Sequence, residues 1–296
     1  MKKHSFKDWL TATRPWSFPA SAMPVLATLA YLFWREHSID WFTGIWALIN
    51  IVLFHAAGNT WSDYYDYKKG VDREDTIGGV SLTSKMFVPK EILTLATILL
   101  AIATIGGCAL IFVTGLPILY VGLAGMLLTV FYPWLKYHAL GDLDIFLTYS
   151  LLPILGTSYV ATGAFHYEAL WLAVPIGLIT VGILHSNNTR DIEHDKRANI
   201  KTFAMLVGGK AATILYALEI IVPFLWIIAG TIIGTFPTLS LLTLIALKPA
   251  IDNVRKASHY TKEGATALHG VDEMTAKLQL IFSLLLTVSL FVATLF

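Results

Sequence analysis

Residues 168–195, EALWLAVPIGLITVGILHSNNTRDIEHD, decide the fold class of this chain. The apolar part, 168–185, has the length that a helix needs to cross the hydrocarbon core of a bilayer, about 20 residues with a range of roughly 17–25. The run ends where a set of amide and carboxylate side chains begins: Asn187, Asn188, Asp191 and Asp195. The stretch therefore indicates a membrane-spanning helix with a polar cluster at one end.

Eight further segments qualify or nearly qualify as spans, and the shortest is 236–250, which closes on Lys248-Pro249. Hydrophobic residues make up 56% of the 296 residues and charged residues 14%, with a mean hydropathy of +0.65. A soluble domain carries far more charge than this. We therefore predict an all-α polytopic membrane protein, with nine transmembrane helices in one bundle and a single domain over 1–296. The predicted spans are 17–34, 41–58, 91–113, 116–135, 142–163, 168–185, 211–230, 236–250 and 276–296.

Basic residues lie on one side of these nine spans. If the N-terminus is cytoplasmic, every lysine and arginine except Arg35 falls in the N-terminal segment or in a cytoplasmic loop. Positively charged loops remain on the cytoplasmic side of a membrane. We therefore predict a multi-pass protein of the cell (inner) membrane with a cytoplasmic N-terminus. Residues 1–16 are predicted to lie at the interface, and 59–90 and 186–210 to form two cytoplasmic loops.

The loop 59–90 opens with a polar cluster similar to that in 186–210. Asn59, Asp63 and Asp66 follow the spacing i, i+4, i+7, so they share one helix face if the second span continues as a helix. Clustered carboxylates repel one another unless a cation lies between them. Oxygen ligands suit Mg²⁺, which binds a few carboxylates together with substrate phosphates. The predicted metal ligands are Asn59, Asp63, Asp66, Asn188, Asp191 and Asp195.

Three stretches resemble one known family, the UbiA-type intramembrane prenyltransferases, whose members have nine transmembrane helices and Asp-rich motifs after helices 2 and 6. The stretches are RPWSFPASAMP (14–24), DYYDYKKGVD (63–72) and NNTRDIEHD (187–195). Within the family they look most like the 1,4-dihydroxy-2-naphthoate polyprenyltransferases. There are two departures. Ser62 stands where the family often has Asn, and GDLD at 141–144 differs from an expected Gly-Leu-Gly-Glu run.

The resemblance implies a Mg²⁺-dependent transfer of a polyprenyl group from its diphosphate to an aromatic acceptor. The acceptor it favours is 1,4-dihydroxy-2-naphthoate, with loss of CO₂ to give demethylmenaquinone. The allylic C–O bond would break beside Mg²⁺, and a ring carbon would attack the allylic cation. The residues expected to be catalytic are Asp63, Asp66, Asp191 and Asp195. Those expected to bind the diphosphate are Lys69, Lys136, Lys201 and Asn187, with Asp72 in a supporting role.

Several alternatives stay open at this point. The acceptor could also be 4-hydroxybenzoate, homogentisate, a chlorophyll-type ring or glycerol phosphate. A transporter is disfavoured because the acids, Glu219 apart, cluster at one membrane face rather than at the midplane. The pattern D-x2-D-G-x2-A-R of the CDP-alcohol phosphotransferases is absent from the sequence. No feature of the sequence indicates a nucleic acid or an obligatory protein partner.

Three residues are left without a role. Glu219 lies deep in a predicted span, and His55 and His185 each precede a polar cluster by about one helical turn. An acid inside a membrane is a candidate functional residue, although packing against a polar partner would explain it equally. For the two histidines we favour hydrogen-bonded core positions over a general base.

Overall fold

The computed structural model describes residues 4–76 and 79–296, which are mostly helical. Residues 1–3 and 77–78, which fall in the predicted interfacial segment and first loop, lie outside the described residues. The α-helices are α1 (Phe6–Ala12), α2 (Pro19–Glu36), α3 (Trp41–Lys69), α4 (Val80–Thr83), α5 (Pro89–Thr114), α6 (Pro117–Tyr137), α7 (Gly141–Phe146), α8 (Leu152–Thr162), α9 (Ala173–Arg190), α10 (Ile192–Arg197), α11 (Phe203–Val207), α12 (Gly209–Ile232), α13 (Leu247–Ser258), α14 (Tyr260–Glu263) and α15 (Val271–Val292).

Shorter turns extend several of these helices. A π-helical turn joins α7 to α8, and 3₁₀ turns precede α2, α9 and α13 and follow α14 and α15. These turns are Pro15–Ser17, Leu147–Leu151, Tyr167–Leu172, Thr238–Ala246, Gly264–Leu268 and Ala293–Leu295. Within the described ranges the extended backbone is limited to one isolated bridge between His138 and Lys201. The predicted all-α fold class is therefore confirmed.

Eight helical segments of the described chain are long and apolar enough to cross a membrane. They correspond to eight of the nine predicted spans. The remaining one, 236–250, falls on the 3₁₀ turn Thr238–Ala246 and on α13, where Lys248, Asp252 and Arg255 reduce the apolar length. A polytopic membrane protein is thus confirmed, whereas the number nine and the cytoplasmic N-terminus stay predictions.

Helix α3 determines where the first polar cluster lies. It has 29 residues, so it is about 43 Å long, whereas the hydrocarbon core of a bilayer is about 30 Å thick. Asp40 caps its N-terminus by accepting hydrogen bonds from the backbone N–H groups of Phe42 (2.9 Å) and Thr43 (3.2 Å). Gly70 ends the helix at φ +76°, a left-handed conformation that favours glycine. The first part of the predicted loop 59–90 is therefore the end of this helix.

The second polar cluster lies at a helix break. Helix α9 ends at Arg190, Asp191 adopts a non-helical conformation, and α10 starts at Ile192. Beyond α10 the chain crosses to the end of α6, where the N–H of Lys201 donates to the carbonyl of Tyr137 at 3.0 Å. The start of the predicted loop 186–210 is therefore helical, and its middle is attached to a neighbouring span.

The main core lies on one side of the bundle, between α2, α9, α12 and α15. Its largest buried side chains include Tyr31, Tyr216, Phe224 and Phe282. On the other side, α5 and α6 expose many apolar side chains, among them Phe112 at 91%. Surface of this kind is normal against lipid and unusual against water. The exposed side of the bundle is the one that encloses the cavity described below.

We predict that Gly177→Ala destabilises the bundle. A β-carbon at Gly177 of α9 would lie 2.7 Å from Cε2 of Phe146 and 2.7 Å from Oγ of Ser150. Ser150 is held in place because its Oγ donates to the carbonyl of Ala173 at 2.8 Å. Overpacking of this kind costs about 1–3 kcal/mol, so the melting temperature in detergent should fall.

Gly122→Ala is the control for this measurement, because a β-carbon at Gly122 meets nothing within 4 Å. It should melt at the wild-type temperature or above, since alanine favours helix over glycine. Equal melting temperatures for Gly177→Ala and the wild type would show that α9 is not packed this closely.

Candidate active site

The polar side chains of α3 face the interior of the bundle. Because α3 continues to Lys69, Asn59, Asp63 and Asp66 share one face, and the two aspartates are 2% and 4% exposed. Removing a carboxylate from water costs free energy unless a partner compensates its charge. The partners of these two carboxylates come from different parts of the chain.

The partner of Asp63 is Arg14, from the segment between α1 and α2. The guanidinium of Arg14 forms an ion pair with Oδ1 of Asp63. Burial acts to lower the pKa of Arg14, but the carboxylates of Asp63, Asp72 and Asp66 outweigh that effect and raise it. Arg14 adopts φ +56°, a left-handed conformation that is rare for a residue with a side chain.

Asn59 attaches the same N-terminal segment to α3. Its amide nitrogen donates to the carbonyl of Thr13 at 2.9 Å and to Oγ of Ser17 at 3.0 Å. The nitrogen is thus used within the fold, and only the amide oxygen would suit a cation. The predicted interfacial segment therefore also closes one side of the site.

The partners of Asp66 come from the end of α6. Nζ of Lys136 donates to Oδ2 at 2.9 Å, and the hydroxyl of Tyr137 donates to Oδ1 at 2.7 Å. Ser62 adds a weaker hydrogen bond from its Oγ to Oδ2 at 3.2 Å. Of the lysines expected to bind diphosphate, Lys136 therefore lies beside an aspartate of the first cluster.

Arg190 organises the second cluster. Its guanidinium contacts Oδ1 of Asn187, both carboxylate oxygens of Asp191 at 2.8 Å, and the carboxylate of Asp272 on α15 at 2.9 Å. Asn188 points elsewhere, with Nδ2 3.5 Å from Oδ1 of Asp142 on α7. The two asparagines of this motif therefore face different neighbours.

Asp195 on α10 is a buried carboxylate of the second cluster. It is 3% exposed, and its Oδ2 has no hydrogen-bond partner within the described ranges. Burial raises its pKa to about 7; Lys136 opposes this rise, and the nearby charges of Asp191, Asp66 and Asp72 add to it. Asp66 belongs to the first cluster and Asp72 follows it along the chain, so the two clusters lie near one another.

Asp72 lies just beyond Gly70, the residue that ends α3. Burial raises its pKa to about 6, and the charge of Asp66 adds to the rise. Its carboxylate packs against Gly79, where a β-carbon would lie 2.2 Å from Oδ2. Nearby, Val71 packs against Ala198 and Ile200, so the loops that carry the two clusters are in direct contact.

A divalent cation fits this arrangement of carboxylates. The buried Oδ2 of Asp195 lacks a partner among the described residues, and the pKa values of Asp72 and Asp195 are raised. Burial is the main cause of the raised pKa values, and the neighbouring carboxylates add to it, so a cation with oxygen ligands would stabilise the ionised forms. The residues that could hold Mg²⁺ are Asp63, Asp66, Asp191 and Asp195, with the amide oxygen of Asn59.

A cavity of about 590 Å³ opens beside the first cluster. Its polar end is lined by Arg14, Asp66, Lys136 and Asn187, and its far end by the apolar side chains of Ala47, Leu110, Ile111, Ile118 and Val160. Asp66 and Ala47 lie on the same helix, which places them about 28 Å apart along α3. The cavity therefore leads from charged groups deep into the apolar bundle.

Two of the expected diphosphate-binding residues lie elsewhere. Lys69 and Lys201 are exposed, and neither lines the cavity, so their role stays a prediction. Sequence reasoning also missed several residues of the cavity wall: Arg14, Asp144, Tyr149 and Asp272. Arg14 stands in one of the motif stretches, but in the sequence it indicates only membrane orientation, through its positive charge. Asp144 stands in the run 141–144, which departs from the expected motif.

The family model for the UbiA prenyltransferase family matches residues 21–269 of the chain. The chain belongs to the UbiA prenyltransferase family. It is therefore a prenyltransferase, and the family accounts for an apolar channel that ends in buried carboxylates.

Curated relatives and solved structures agree with the UbiA assignment. UbiA prenyltransferase domain-containing protein 1 of Danio rerio is 32% identical over 283 residues, which cover 93% of this chain and 81% of the relative. The Homo sapiens protein of that name is 31% identical, with 94% and 81% covered. The structure of a UbiA homologue from Aeropyrum pernix K1 matches with a TM-score of 0.65 at 16% identity, covering 93% and 97% of the chains. A UbiA homologue from Archaeoglobus fulgidus bound to DMAPP and Mg²⁺ matches with 0.64 at 13%, covering 95% and 99%.

We predict that the metal-free protein loses stability as the pH rises from about 4 to about 7. In the unfolded chain an aspartate has a pKa of about 3.9, whereas Asp72 and Asp195 reach about 6 and about 7 in the fold. The unfolded chain then releases these protons first, which favours unfolding across that window. The test is the melting temperature in EDTA at several pH values.

Mg²⁺ should restore stability at the upper end of this window, because it favours the ionised carboxylates. Asp195→Asn should reduce the pH dependence, whereas Glu193→Gln, at an exposed position of α10, should leave it unchanged. A melting temperature independent of pH in EDTA would contradict the proposed electrostatics.

Proposed function

We propose that this UbiA-family prenyltransferase transfers a polyprenyl group from its diphosphate to 1,4-dihydroxy-2-naphthoate, with loss of CO₂ to give demethylmenaquinone. The reaction would require Mg²⁺ and take place at the cytoplasmic side of the cell (inner) membrane. The observation that carries the proposal is one cavity with buried carboxylates and cations at one end and apolar walls at the other. A polyprenyl diphosphate has the same division into an anionic head and an apolar tail.

The diphosphate would bind where the two aspartate clusters meet. Mg²⁺ held by these carboxylates would supply positive charge that offsets the negative charge developing on the leaving diphosphate. Asp63, Asp66, Asp191 and Asp195 are the proposed metal ligands. A homologue of the same fold is described as bound to DMAPP and Mg²⁺, which supports this choice of donor and metal.

Two cations of the chain would assist the departing diphosphate. Lys136 and Arg14 line the charged end of the cavity and are paired with Asp66 and Asp63. A guanidinium has five N–H donors and an ammonium three, so both groups could donate to phosphate oxygens while these ion pairs persist. Positive charge already held in position stabilises a leaving group without further reorganisation.

The apolar walls would protect the reactive end of the prenyl group. An allylic cation reacts with any water that reaches it, so the reaction needs a site from which water is excluded. Side chains such as Phe54, Leu152 and Ile183 line the cavity beyond the charged end. They would hold the tail and leave the acceptor ring as the available nucleophile.

Asp144 is the residue best placed to orient the acceptor. It lines the cavity, is 3% exposed, and its Oδ1 has no hydrogen-bond partner in the described part of the chain. It would accept a hydrogen bond from a ring hydroxyl. His55 is also a candidate general base. Its ring nitrogens lie 2.9 Å from Oγ of Ser21 and 3.2 Å from Oγ of Ser17, which favours a hydrogen-bonded core position.

Other acceptors remain as alternatives: 4-hydroxybenzoate, homogentisate, a chlorophyll-type ring or glycerol phosphate. The last gains specific support from one structural neighbour, described in terms of digeranylgeranylglyceryl phosphate synthase, which matches with a TM-score of 0.63 at 16% identity. Because the chain belongs to a family of prenyltransferases, a transporter function has no support.

The test is a product analysis with purified protein. Protein in detergent or liposomes is incubated with Mg²⁺, a polyprenyl diphosphate and each acceptor in turn, and products are identified by mass. We expect prenylated naphthoquinol that has lost CO₂ from 1,4-dihydroxy-2-naphthoate. A product from another acceptor, with none from the naphthoate, would replace the proposed acceptor.

We predict that Asp63→Asn and Asp191→Asn each lower turnover at least about 100-fold, the size typical of removing a group that stabilises transition-state charge. Glu193→Gln is the matched control, because Glu193 lies beside the second cluster and its side chain is 78% exposed. Full turnover in either aspartate variant would refute the proposed metal ligands.

We predict that Gly122→Leu shortens the donor that the enzyme accepts. Gly122 lines the cavity and has nothing within 4 Å of its β-position, so a larger side chain would enter the space proposed for the tail. The kcat/KM for a long polyprenyl diphosphate should fall at least about tenfold, and that for DMAPP should stay near the wild-type value. An equal loss for both donors would contradict the proposed path of the tail.

A further inference from the structure

Three polar residues that the proposed reaction does not use meet near the C-terminal end of α9, outside the cavity. Asp142 begins α7, His185 lies near the end of α9, and Glu219 lies in α12. The side chain of His185 is fully buried, and those of Asp142 and Glu219 are each 13% exposed. None of the three lines the cavity. The group therefore forms a site of its own.

The three side chains converge on one point. Nδ1 of His185 lies 2.9 Å from Oδ2 of Asp142 and 2.9 Å from Oε1 of Glu219, and the three ligand atoms all lie within 4.8 Å of one another. An imidazole nitrogen carries at most one hydrogen, so it can donate a linear hydrogen bond to only one of the two carboxylates. Within the described residues, neither ring nitrogen of His185 has a hydrogen-bond partner.

Among the described residues, His185 is the sole ion-pair partner of Asp142 and of Glu219. Two carboxylates and one imidazole carry a net charge of −2, or −1 if the ring is protonated. Burying such charge is costly unless a counter-charge is present. A divalent cation at the point of convergence would neutralise both carboxylates and take up the ring nitrogen.

We propose that Asp142, His185 and Glu219 bind a divalent transition-metal ion of the Zn²⁺ class. One histidine nitrogen and two carboxylate oxygens are a donor set that suits Zn²⁺, whereas Mg²⁺ prefers oxygen ligands alone. Three protein ligands leave a fourth position for water. The site is thus distinct in chemistry from the carboxylate site at the charged end of the cavity.

A metal ion here would fasten α7, α9 and α12 together. Asn188 follows His185 by one turn of α9 and approaches Oδ1 of Asp142 at 3.5 Å. The opposite face of the same helix presents Asn187 to the cavity. The ion would therefore hold the end of α9 that carries the second cluster.

A second group of the same residue types provides a contrast. Glu36, His166 and Glu168 also lie within metal-binding distance of one another, but the two glutamates are 45% and 44% exposed. There Nδ1 of His166 forms a hydrogen bond with Oε1 of Glu168 at 3.0 Å. Solvent can hydrate the exposed carboxylates, and His166 already has a hydrogen-bond partner, so this second group serves as the control.

The test is metal content and Zn²⁺ affinity of the full-length protein in detergent. An Asp63→Asn, Asp191→Asn double variant is used as background, so that the carboxylate site does not bind the ion. In that background we expect about one tightly bound Zn²⁺ per chain. Adding Glu219→Gln or Asp142→Asn should weaken Zn²⁺ binding more than about tenfold, whereas adding His166→Ala should leave it unchanged.

Circular dichroism and elution volume show whether each variant is folded, and Gln and Asn nearly preserve the shape of the replaced side chains. If the background protein holds no Zn²⁺ and binds it no better than the Glu219→Gln form, the proposal is overturned, and His185 is an imidazolium between two carboxylates. Loss of Zn²⁺ binding in all forms, His166→Ala included, would equally overturn it. Metal content is measured without prenyl transfer, so failure of the proposed function would leave this result intact.

Discussion

The carboxylate of Asp66 is the point on which the arrangement of the site depends. It is buried at the end of α3, and Lys136 and Tyr137 bind it from the end of α6. Most of α6 faces outward, so this ion pair holds the C-terminal end of that helix against the bundle. The carbonyl of Tyr137 in turn accepts a hydrogen bond from Lys201, which brings in the loop of the second cluster.

Because these charges are buried, their compensation decides what the site can bind. Arg14, Lys136 and Arg190 each pair with an aspartate, whereas Asp195 keeps a carboxylate oxygen without a partner in the described chain. A polar region that is already ordered but still negative attracts a divalent cation, and the cation then attracts a phosphate. The apolar length of the cavity adds affinity for a hydrophobic tail in proportion to the surface removed from water.

Helix α9 serves two polar sites because its end carries polar residues on two faces. Asn187 faces the cavity, and His185 faces Asp142 and Glu219 on the neighbouring helices. Side chains three or four positions apart share a helix face, whereas those two apart do not. The end of one helix can therefore carry two groups of polar side chains on opposite faces, separated by the diameter of the helix.

The sequence alone determined the fold class, eight of the nine predicted spans and the two aspartate clusters, because apolar length and helical spacing are local properties of the chain. Arg14, Asp144 and the Asp142–His185–Glu219 group became evident only in the tertiary structure. Their partners lie tens of residues away, as with the 49 positions between Arg14 and Asp63. A local pattern does not specify which helices pack together, and that packing decides which charges meet and which remain without a partner.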